Sequence, residues 1–390
     1  MKICACIAEY NPFHLGHLKH IEYIKNQLKA EKVIVIMSGN FTQRGGAAIL
    51  DKFTRAKHAI IAGADAVIEL PTVFAIGNAE VFAKGAINII NSLGVVDGIC
   101  FGVESGTKDE YVALAQALND ESKEFKRVLK EKLDSGISLA KAKFETVKAL
   151  NEDKFNAELI SSPNNILAVE YVKAILKSKK HIEIYPMHRE GDHNDKTLKK
   201  KITSATSIRE TLKEKSKKKV KKNVPKFVYE DLKEYPVIFE KLTMAKVLSS
   251  TTEQLKNLPD CTEGLENRIK AFSKDNHTVE ELIQKVCTKR YTSSRIRRIL
   301  TANLLGITKE LTDDCLNEKL YAKILAVNSE SKDLISLLSS NASVPILTRK
   351  SDTALLKKTA LKCFEVDVLA NDLYSLATDQ KQNENKMDII

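Results

Sequence analysis

A short strand that turns into a helix at a pair of histidines is the feature that most constrains the fold of this chain. The apolar run from Ile3 to Ala8 has the composition of a buried strand, and a helical pattern begins near Leu18. Between them, Pro12 interrupts regular structure and is followed by His14-Leu15-Gly16-His17. A helix that starts directly after a strand directs unpaired N–H groups and a positive dipole end toward the sheet edge. The pattern therefore predicts a site for the phosphates of a nucleoside triphosphate.

The residue types in this turn also suit a nucleotide. Gly16 has no Cβ, so a base or ribose can lie against the backbone there. His14 and His17 are three positions apart, share one helical face, and can both donate hydrogen bonds to phosphoryl oxygens. The segment resembles the H-x-G-H signature of the adenylyl-transferring nucleotidyltransferase superfamily. Two chance histidines at a helix start are the alternative, and the flanking strand and helix favour the nucleotide site.

The first 210 residues alternate strand and helix patterns. Predicted strands cover 32–37, 65–70 and the segment ending at 102, and predicted helices cover 51–62 and 78–93. A further helix within 161–177 is predicted to start at Ser162-Pro163. Such alternation predicts an α/β fold with a Rossmann-like parallel sheet covered on both faces. Ligands of these sheets bind at the carboxyl ends of the strands. The candidate binding segments are therefore 8–17, 37–44 and 102–104.

The second half of the chain has a different pattern. A lysine-rich run from Lys213 to Lys222 lacks apolar periodicity, so we place a domain boundary near it. This gives a nucleotidyltransferase-like catalytic domain over 1–215 and a mainly helical, basic domain over 216–390. We expect the polar residues from Asp379 onward to be frayed. The predicted helices of the second half are 245–258, 265–272, 278–287, 293–305 and 355–369.

Composition and charge narrow the class of protein. The formal net charge is +11 and the pI about 9.1, which suits a polyanionic partner such as a nucleic acid but also occurs in proteins without one. No apolar run approaches the roughly 20 residues that span a bilayer, and Glu9 and Asn11 interrupt the only candidate signal sequence. The seven cysteines are scattered and odd in number. We expect a cytoplasmic protein with reduced cysteines and no membrane partner.

A second motif lies near the end of the predicted catalytic domain. Ser204-Ala205-Thr206-Ser207-Ile208-Arg209 places small hydroxyl residues at a helix start, where Ser204 and Thr206 can cap the helix and donate to phosphates. Arg209, one turn later, can bind a phosphate through two N–H groups. A plain helix cap with a surface arginine is the alternative. The motif resembles the partner signature of H-x-G-H, and both occur here in the expected order.

Longer blocks resemble one family, the bacterial tRNA(Met) cytidine acetate ligases. The similarity extends through most of the chain up to about residue 306. Its blocks begin with residues 9–17, Glu-Tyr-Asn-Pro-Phe-His-Leu-Gly-His, and 37–45, Met-Ser-Gly-Asn-Phe-Thr-Gln-Arg-Gly. They continue with Ile68-Glu69-Leu70-Pro71, Phe101-Gly102-Val103-Glu104, Ser162-Pro163-Asn164-Asn165-Ile166-Leu167, the Ser204 to Arg209 motif and Tyr291 to Arg298.

This resemblance implies an enzyme that uses ATP to convert acetate to acetyl-adenylate. The acetyl group would then pass to the 4-amino group of the wobble cytidine in elongator tRNA(Met). His14, His17 and Arg209 are the implied catalytic residues, and Mg²⁺ would accompany the phosphates. The implied ATP site comprises Ile7, Ala8, Glu9, Tyr10, Asn11, Pro12, Phe13, His14, Leu15, Gly16, His17, Leu18, Lys19, His20, Gly102, Asn164 or Asn165, Arg189, Ser204 and Thr206.

The basic helix near residue 295 is the predicted tRNA-binding element. Arg295, Arg297 and Arg298 would contact phosphates together with the lysine-rich run, and a solvated basic helix is the alternative. Two other functions stay open from the residues alone. One is an adenylyltransferase that joins AMP to a small acceptor, which would not need the long basic second half. The other is a non-catalytic RNA-binding protein with a vestigial nucleotide site, which the intact motifs disfavour.

Overall fold

A computed structural model describes residues 2–120, 122–137, 139–151, 155–160, 162–178, 180–189, 204–214, 216–232, 238–288 and 290–390. Strands and helices alternate through the first half, and helices predominate in the second. The strands of the described residues are β1 (Ile3–Ala8), β2 (Lys32–Ser38), β3 (Phe41–Thr42), β4 (Gly46–Ala47), β5 (Ala66–Leu70), β6 (Gly98–Val103), β7 (Glu183–His188), β8 (Ala322–Val327), β9 (Ile346–Leu347) and β10 (Asp388–Ile389).

The helices of the first half belong mainly to crossover connections between strands. They are α1 (Leu15–Asn26), α2 (Lys52–Ile61), α3 (Thr72–Ala75), α4 (Ala79–Leu93), α5 (Lys108–Leu118), α6 (Lys123–Asp134), α7 (Leu139–Leu150), α8 (Pro163–Leu176) and α9 (Ala205–Lys213). The second half adds α10 (Lys226–Asp231), α11 (Ile238–Ser249), α12 (Thr252–Lys256), α13 (Leu265–Ser273), α14 (Val279–Val286), α15 (Ser293–Leu305), α16 (Lys309–Asn317), α17 (Asp333–Asn341) and α18 (Lys358–Thr378). Short 3₁₀ turns lie at 157–160, 217–220, 329–331 and 350–355.

The main sheet confirms the predicted α/β class. Its strand order is β10-β8-β5-β2-β1-β6-β7, with β9 also paired to β8. Strand β1 lies parallel between β2 and β6, with Cys4 opposite both Val33 and Gly98. Consecutive apolar residues suit these strands because both faces of a parallel sheet are buried.

Alternate residues of β1 enter two separate cores. Ile3 and Ala5 pack with the apolar faces of α4, α5 and α8 on one side of the sheet. Cys4 and Cys6 pack with α1, α2 and α9 on the other side. Because helices that follow β1 and β6 cover opposite faces, a crevice opens between these two strands at their carboxyl ends.

Capping residues set the helix ends that the sequence predicted. The side chain of Asp51 accepts hydrogen bonds from the N–H groups of Phe53 and Thr54, which starts α2. Asn78 caps α4, and Gly94 ends that helix in the left-handed conformation at φ 76°. Ser162 caps α8 with Pro163 at the first helical position. These ends were predictable because each cap is a local interaction.

The second half departs from its prediction in two places. The apolar run 322–327, which lies outside the five predicted helices, forms β8, which pairs antiparallel with β5 and joins the sheet of the first half. The prediction of frayed residues after Asp379 is also wrong. Residues Asp388 and Ile389 pair with β8, and Glu384 is only 6% exposed because its carboxylate binds the buried ammonium groups of Lys52 and Lys323.

A smaller helical core follows in residues 244–300. It is formed by the buried faces of α11, α13, α14 and α15. The predicted helix over 245–258 is two helices, because Thr251 caps a new helix after the first one ends at Ser249. Within the described ranges, no helix combines the length and apolar composition needed to cross a lipid bilayer.

Candidate active site

The two motif histidines are held by the start of α1 itself. His14 is the N-cap, and its Nδ1 accepts a hydrogen bond from the Gly16 N–H at 3.1 Å. The N–H of His14 in turn donates to Nδ1 of His17 at 3.2 Å. The two rings stack with centroids 3.6 Å apart. Reciprocal bonds of this kind fix both imidazoles without any other side chain.

These bonds also determine the state of the rings. Burial lowers the pKa of His14 to about 3, with Arg189 and Arg209 adding to the effect. Burial and the neighbouring His14 place the pKa of His17 well below its usual value. Both rings are therefore neutral at pH 7, and because each Nδ1 accepts a backbone N–H, the ring proton lies on Nε2. Each histidine can donate one hydrogen bond from Nε2.

The crevice above β1 and β6 is a cleft with a volume of about 250 Å³. It brings together most of the predicted site residues with several that the sequence did not single out. Its described lining consists of Ile7, Ala8, Glu9, Tyr10, Asn11, His14, Gly16, His17, Lys19, His20, Gln43, Arg44, Phe82, Phe101, Gly102, Pro163, Asn164, Leu167, Tyr171, Met187, Arg189, Ser204, Ala205, Thr206 and Arg209.

The second motif contacts the first across this cleft. Ser204 caps α9 and accepts the N–H of Ser207. One turn later, Arg209 donates from Nη1 to the backbone carbonyl of Asn11 at 2.6 Å and from Nη2 to the Thr206 hydroxyl at 3.2 Å. Residues nearly 200 positions apart therefore form one wall, with the Arg209 guanidinium beside the histidine turn.

The adjacent asparagines have different positions. Asn164 lines the cleft, and its side-chain amide donates to a Glu104 carboxylate oxygen at 2.6 Å. Asn165 is fully buried. Its carboxamide oxygen accepts a hydrogen bond from the Glu104 N–H, and its amide nitrogen donates to the Ser105 hydroxyl. Its contacts stabilise the loop after β6, so Asn164 is the member of the pair that a ligand in the cleft can reach.

Arg189 is the cation on the β7 side of the cleft. Its guanidinium makes no hydrogen bond or ion pair with another residue in the described ranges, and burial lowers its pKa. A Cβ at Gly102 would lie 3.1 Å from the Arg189 side chain, so the absence of a side chain at Gly102 leaves room for this arginine. A half-buried guanidinium with no partner among the described residues is typical of an anion-binding site.

Five predicted residues do not line the cleft. Phe13 is fully buried beneath the turn, and Leu18 packs against the same core. The others are Pro12, Leu15 and Asn165. The sequence placed residues 37–44 at a carboxyl strand end, which is where Gln43 and Arg44 are found. Leu167 lies in the family block 162–167, but nothing local indicated Phe82 or Tyr171 as cleft residues.

The arginine helix, α15, carries three predicted tRNA-binding residues whose side chains already have partners. Arg295 donates to the Asp260 carbonyl and the Thr262 hydroxyl, and Arg298 pairs with the Asp260 carboxylate at 3.2 Å. Arg297 pairs with Glu280 at 2.7 Å. Arg295 and Arg298 thus share a helix face, as predicted, but that face is bound to the loop before α13.

Comparison with known proteins agrees with this geometry. Residues 1–388 match the family model described as HIGH nucleotidyl transferase. The tRNA(Met) cytidine acetate ligase of Acetivibrio thermocellus is 39% identical over 96% of this chain and 94% of that protein. The same enzyme of Clostridium novyi is 36% identical over 96% of this chain and 95% of that one.

Two solved structures have the same fold. The apo crystal structure of Thermotoga maritima TmcAL superposes with a TM-score of 0.94, at 28% identity, over all of both chains. The same protein bound with alpha-thio ATP superposes with a TM-score of 0.90, over 98% of this chain and 97% of that one. The fold and the cleft define a nucleotidyltransferase of the HIGH class. Within that class, the chain belongs to the tRNA(Met) cytidine acetate ligase family, which is a family of ligases.

Proposed function

We propose that this protein activates acetate with ATP and transfers the acetyl group to the 4-amino group of the wobble cytidine of elongator tRNA(Met). The observation that carries the proposal is the junction of the two motifs, where Arg209 binds the Asn11 carbonyl beside the stacked, neutral His14 and His17. The names of the relatives support the tRNA substrate, and the TmcAL complex with alpha-thio ATP supports the nucleotide.

ATP would bind with its phosphates between α1 and the two arginines. The start of α1 offers backbone N–H groups and the positive end of its dipole. Arg189 and Arg209 supply fixed positive charge, and Nε2–H of His14 and His17 can bind the oxygens of the α-phosphate as negative charge builds there. Uncharged imidazoles suit this role because they stabilise developing charge without having to lose a proton.

Mg²⁺ would enter with the nucleotide. Among the described lining residues, Glu9 provides a carboxylate, and no cluster of three or more His, Cys, Asp or Glu side chains in the described ranges forms a separate metal site. The phosphate oxygens would therefore provide much of the coordination, as is usual for this ion. Once bound, Mg²⁺ neutralises phosphate charge and polarises the phosphoryl group.

The first chemical step is displacement at phosphorus. A carboxylate oxygen of acetate forms a bond to the α-phosphorus, the bond from that phosphorus to the bridging oxygen breaks, and pyrophosphate leaves with the electron pair. No protein nucleophile is needed, so charge stabilisation and positioning provide the catalysis.

The second step is acyl transfer. The cytidine 4-amino nitrogen forms a bond to the acetyl carbon, the bond between that carbon and the phosphate oxygen breaks, and AMP leaves with the electron pair. One amine proton passes to solvent. Holding the amine against the adenylate is the main requirement of this step.

The tRNA would approach over a lysine-rich turn beside the cleft. This turn, Lys217–Lys222, precedes Asn223, whose carbonyl accepts the Leu15 N–H at the start of α1 at 3.1 Å. Lys218, Lys219 and Lys222 are exposed and make no ion pair with a residue in the described ranges. Free lysines are better placed to contact phosphates than the arginines of α15, each of which would have to share an existing carboxylate.

Labelled acetate tests the proposal. Purified protein with ATP, Mg²⁺ and labelled acetate should release pyrophosphate and AMP and label a cytidine of unmodified elongator tRNA(Met). Acetyl-CoA without ATP should give no label. Labelling from acetyl-CoA alone, or transfer of AMP onto a small acceptor, would contradict the proposal and favour an ordinary acetyltransferase or adenylyltransferase.

A further inference from the structure

One wall of the cleft is apolar and plays no part in binding ATP as proposed above. Phe82 of α4, Phe101 of β6, and Leu167 and Tyr171 of α8 form it, and we call these four residues the acyl wall. The three aromatic residues are 2–5% exposed, and the Phe101 and Tyr171 rings lie 5.8 Å apart. Helices α4 and α8 cover the face of the sheet opposite α1, so this wall lies across the cleft from the histidine turn.

Tyr171 differs from the other buried tyrosines in the state of its hydroxyl group. Tyr111 donates to the Ser105 carbonyl, Tyr374 donates to the Ala48 carbonyl, and Tyr321 donates to a carboxylate of Asp367. Tyr171 is equally buried, at 5% exposed, but its hydroxyl makes no hydrogen bond with any described residue. The Tyr171 oxygen is not one of the buried side-chain atoms that lack a partner, so the hydroxyl is open to the cleft and can donate to an acceptor there.

The environment of Tyr171 keeps this hydroxyl a donor. Burial, together with the nearby Glu9 and Cys6, raises the pKa of Tyr171. Glu9 and Tyr171 both line the cleft at the carboxyl end of β1. The acyl wall therefore offers one hydrogen-bond donor surrounded by hydrocarbon.

We infer that the acyl wall is the acetate subsite, with Tyr171 donating to the carboxylate oxygen that becomes the acetyl carbonyl and Phe82 and Phe101 packing against the methyl group. The inference rests on the proposed function. Acetate presents one acceptor group and one methyl group, which matches a single donor in an apolar wall.

The subsite also accounts for the class of acid accepted. The cations of the cleft, Arg189 and Arg209, can attract one carboxylate toward the α-phosphate. A second carboxylate at the far end of the acid would be buried among the aromatic rings and near Glu9, which is unfavourable. Short monocarboxylates should therefore be substrates, and dicarboxylates such as malonate should not.

Removal of the hydroxyl tests the hydrogen bond. In acetate-dependent ATP–pyrophosphate exchange without tRNA, Tyr171→Phe should raise the KM for acetate by roughly tenfold, since hydrogen bonds to a charged group are among the stronger ones. The KM for ATP should stay within about twofold of wild type, because the phosphates bind elsewhere. Tyr111→Phe is the matched control, since it removes a buried hydroxyl that packs beside the same Phe101 but does not line the cleft.

Enlargement of the wall tests the apolar contact. Phe82→Leu should raise kcat/KM for propionate relative to acetate by about tenfold, within the range that one methylene contributes. Phe74→Leu, a change at a buried phenylalanine that is not among the described cleft residues, should leave this ratio unchanged. Thermal denaturation of all four variants checks that they are folded.

The outcomes separate the inference from the proposed function. Absence of acetate-dependent exchange in the wild-type protein would overturn the proposed function itself. Wild-type exchange with an unchanged acetate KM in Tyr171→Phe, or with a raised KM for ATP instead, would overturn the acetate subsite alone. An unchanged ratio of propionate to acetate in Phe82→Leu would likewise show that Phe82 does not contact the methyl group.

Discussion

His14 and His17 cap the start of α1 with the same two rings that we propose bind the phosphates. Each Nδ1 is used by the backbone, and only Nε2 remains for a ligand. Burial then prevents the rings from being charged at neutral pH. The sequence motif shows that two histidines are present, but the tautomer follows only from these backbone contacts.

His17 can therefore be changed in two ways that separate its roles. In His17→Gln, the carboxamide oxygen can replace Nδ1 as the acceptor for the His14 N–H, as in an ordinary capping box. We expect a near-native midpoint of thermal unfolding but a loss of adenylate formation of about a hundredfold or more, mainly in kcat. His17→Ala should lose activity similarly and also unfold at lower temperature, by an amount that reflects a lost cap of about 1 kcal/mol. Turnover near wild type in His17→Gln would remove His17 from the catalytic residues.

The buried histidines also predict how stability depends on pH. The pKa of His14 is lowered from 6.5 to about 3 and that of His20 to about 4, both mainly by burial. Between about pH 6.5 and pH 4 the unfolded chain binds a proton at each position and the folded chain does not. The free energy of unfolding therefore falls as the pH falls from 6.5 toward 4. Each such group contributes a slope of up to about 1.4 kcal/mol per pH unit.

Urea denaturation at pH 7.5 and pH 5 measures this dependence. His20→Gln should lose less stability than wild type between the two pH values, because one proton-binding site of the unfolded chain is gone. His181→Gln is the matched control, at a side chain that is 89% exposed. Equal loss in wild type and His20→Gln would contradict the assignment of the acid sensitivity to this buried ring.

Among the helices and strands, prediction succeeded where the determining interaction is local. The ends of α2, α4 and α8 follow from Asp51, Asn78 and Ser162, each of which bonds to the backbone of its own first turn. The pairing of the two signature motifs in one cleft also followed, since their resemblance to known motifs placed them together.

Prediction failed where a partner distant in sequence decides the structure. Nothing within residues 322–327 distinguishes a central strand from a buried helical segment, and pairing with β5 decides between them. The polar tail after Asp379 has too few apolar residues to predict order, and Glu384 is buried only because Lys52 and Lys323 are buried too. Phe82 and Tyr171 have the helical spacing of ordinary core residues, so their contact with the cleft depends on how α4 and α8 pack.

The tail can be tested as a structural element. Glu384 and Glu69 together balance the buried Lys52 and Lys323, and Lys52 Nζ lies 2.7 Å from a carboxylate oxygen of each. Glu384→Gln removes one of the balancing charges and should lower the free energy of unfolding by about 3–5 kcal/mol. Lys381→Gln, an exposed position three residues earlier, should change it by less than about 0.5 kcal/mol. Similar stabilities of the two variants in urea denaturation would show that the tail contributes little to the fold.

At the scale of the whole molecule, the helical core of residues 244–300, which contains α15, contacts the edge of the cleft at the β3–β4 hairpin. The Thr301 hydroxyl of α15 donates to the Gly45 carbonyl, next to Gln43 and Arg44 at the cleft edge. A Cβ at Gly45 would lie 2.4 Å from the Arg298 backbone nitrogen, and Gly45 has φ of +73°, so glycine is required there on both counts. The arginine helix is thus packed onto the edge of the site, while its arginines bond to Asp260, Thr262 and Glu280 within the helical unit.

The lysines of the turn are exposed and the arginines of α15 are paired with carboxylates, so we expect tRNA affinity to depend on the lysines. Replacement of Lys218, Lys219 and Lys222 by glutamine removes exposed charges beside α1 without unpairing any described carboxylate. The slope of log affinity for tRNA against log salt should fall by about two units, close to 0.7 for each lost phosphate contact. Acetate-dependent pyrophosphate exchange without tRNA should be unchanged, since these lysines do not line the cleft.

A second set of lysines supplies the control for overall charge. Lys350, Lys357 and Lys362 are equally exposed but belong to the segment around α18, outside the cleft lining. Their replacement changes the net charge by the same amount, so it should affect only the weak long-range attraction and leave the slope within about half a unit. Equal losses from both sets would show that tRNA responds to net charge alone. Loss of affinity only on substitution of Arg295 and Arg298 would instead make α15 the binding surface, because the tRNA phosphates would then have displaced Asp260 and Glu263 from those arginines.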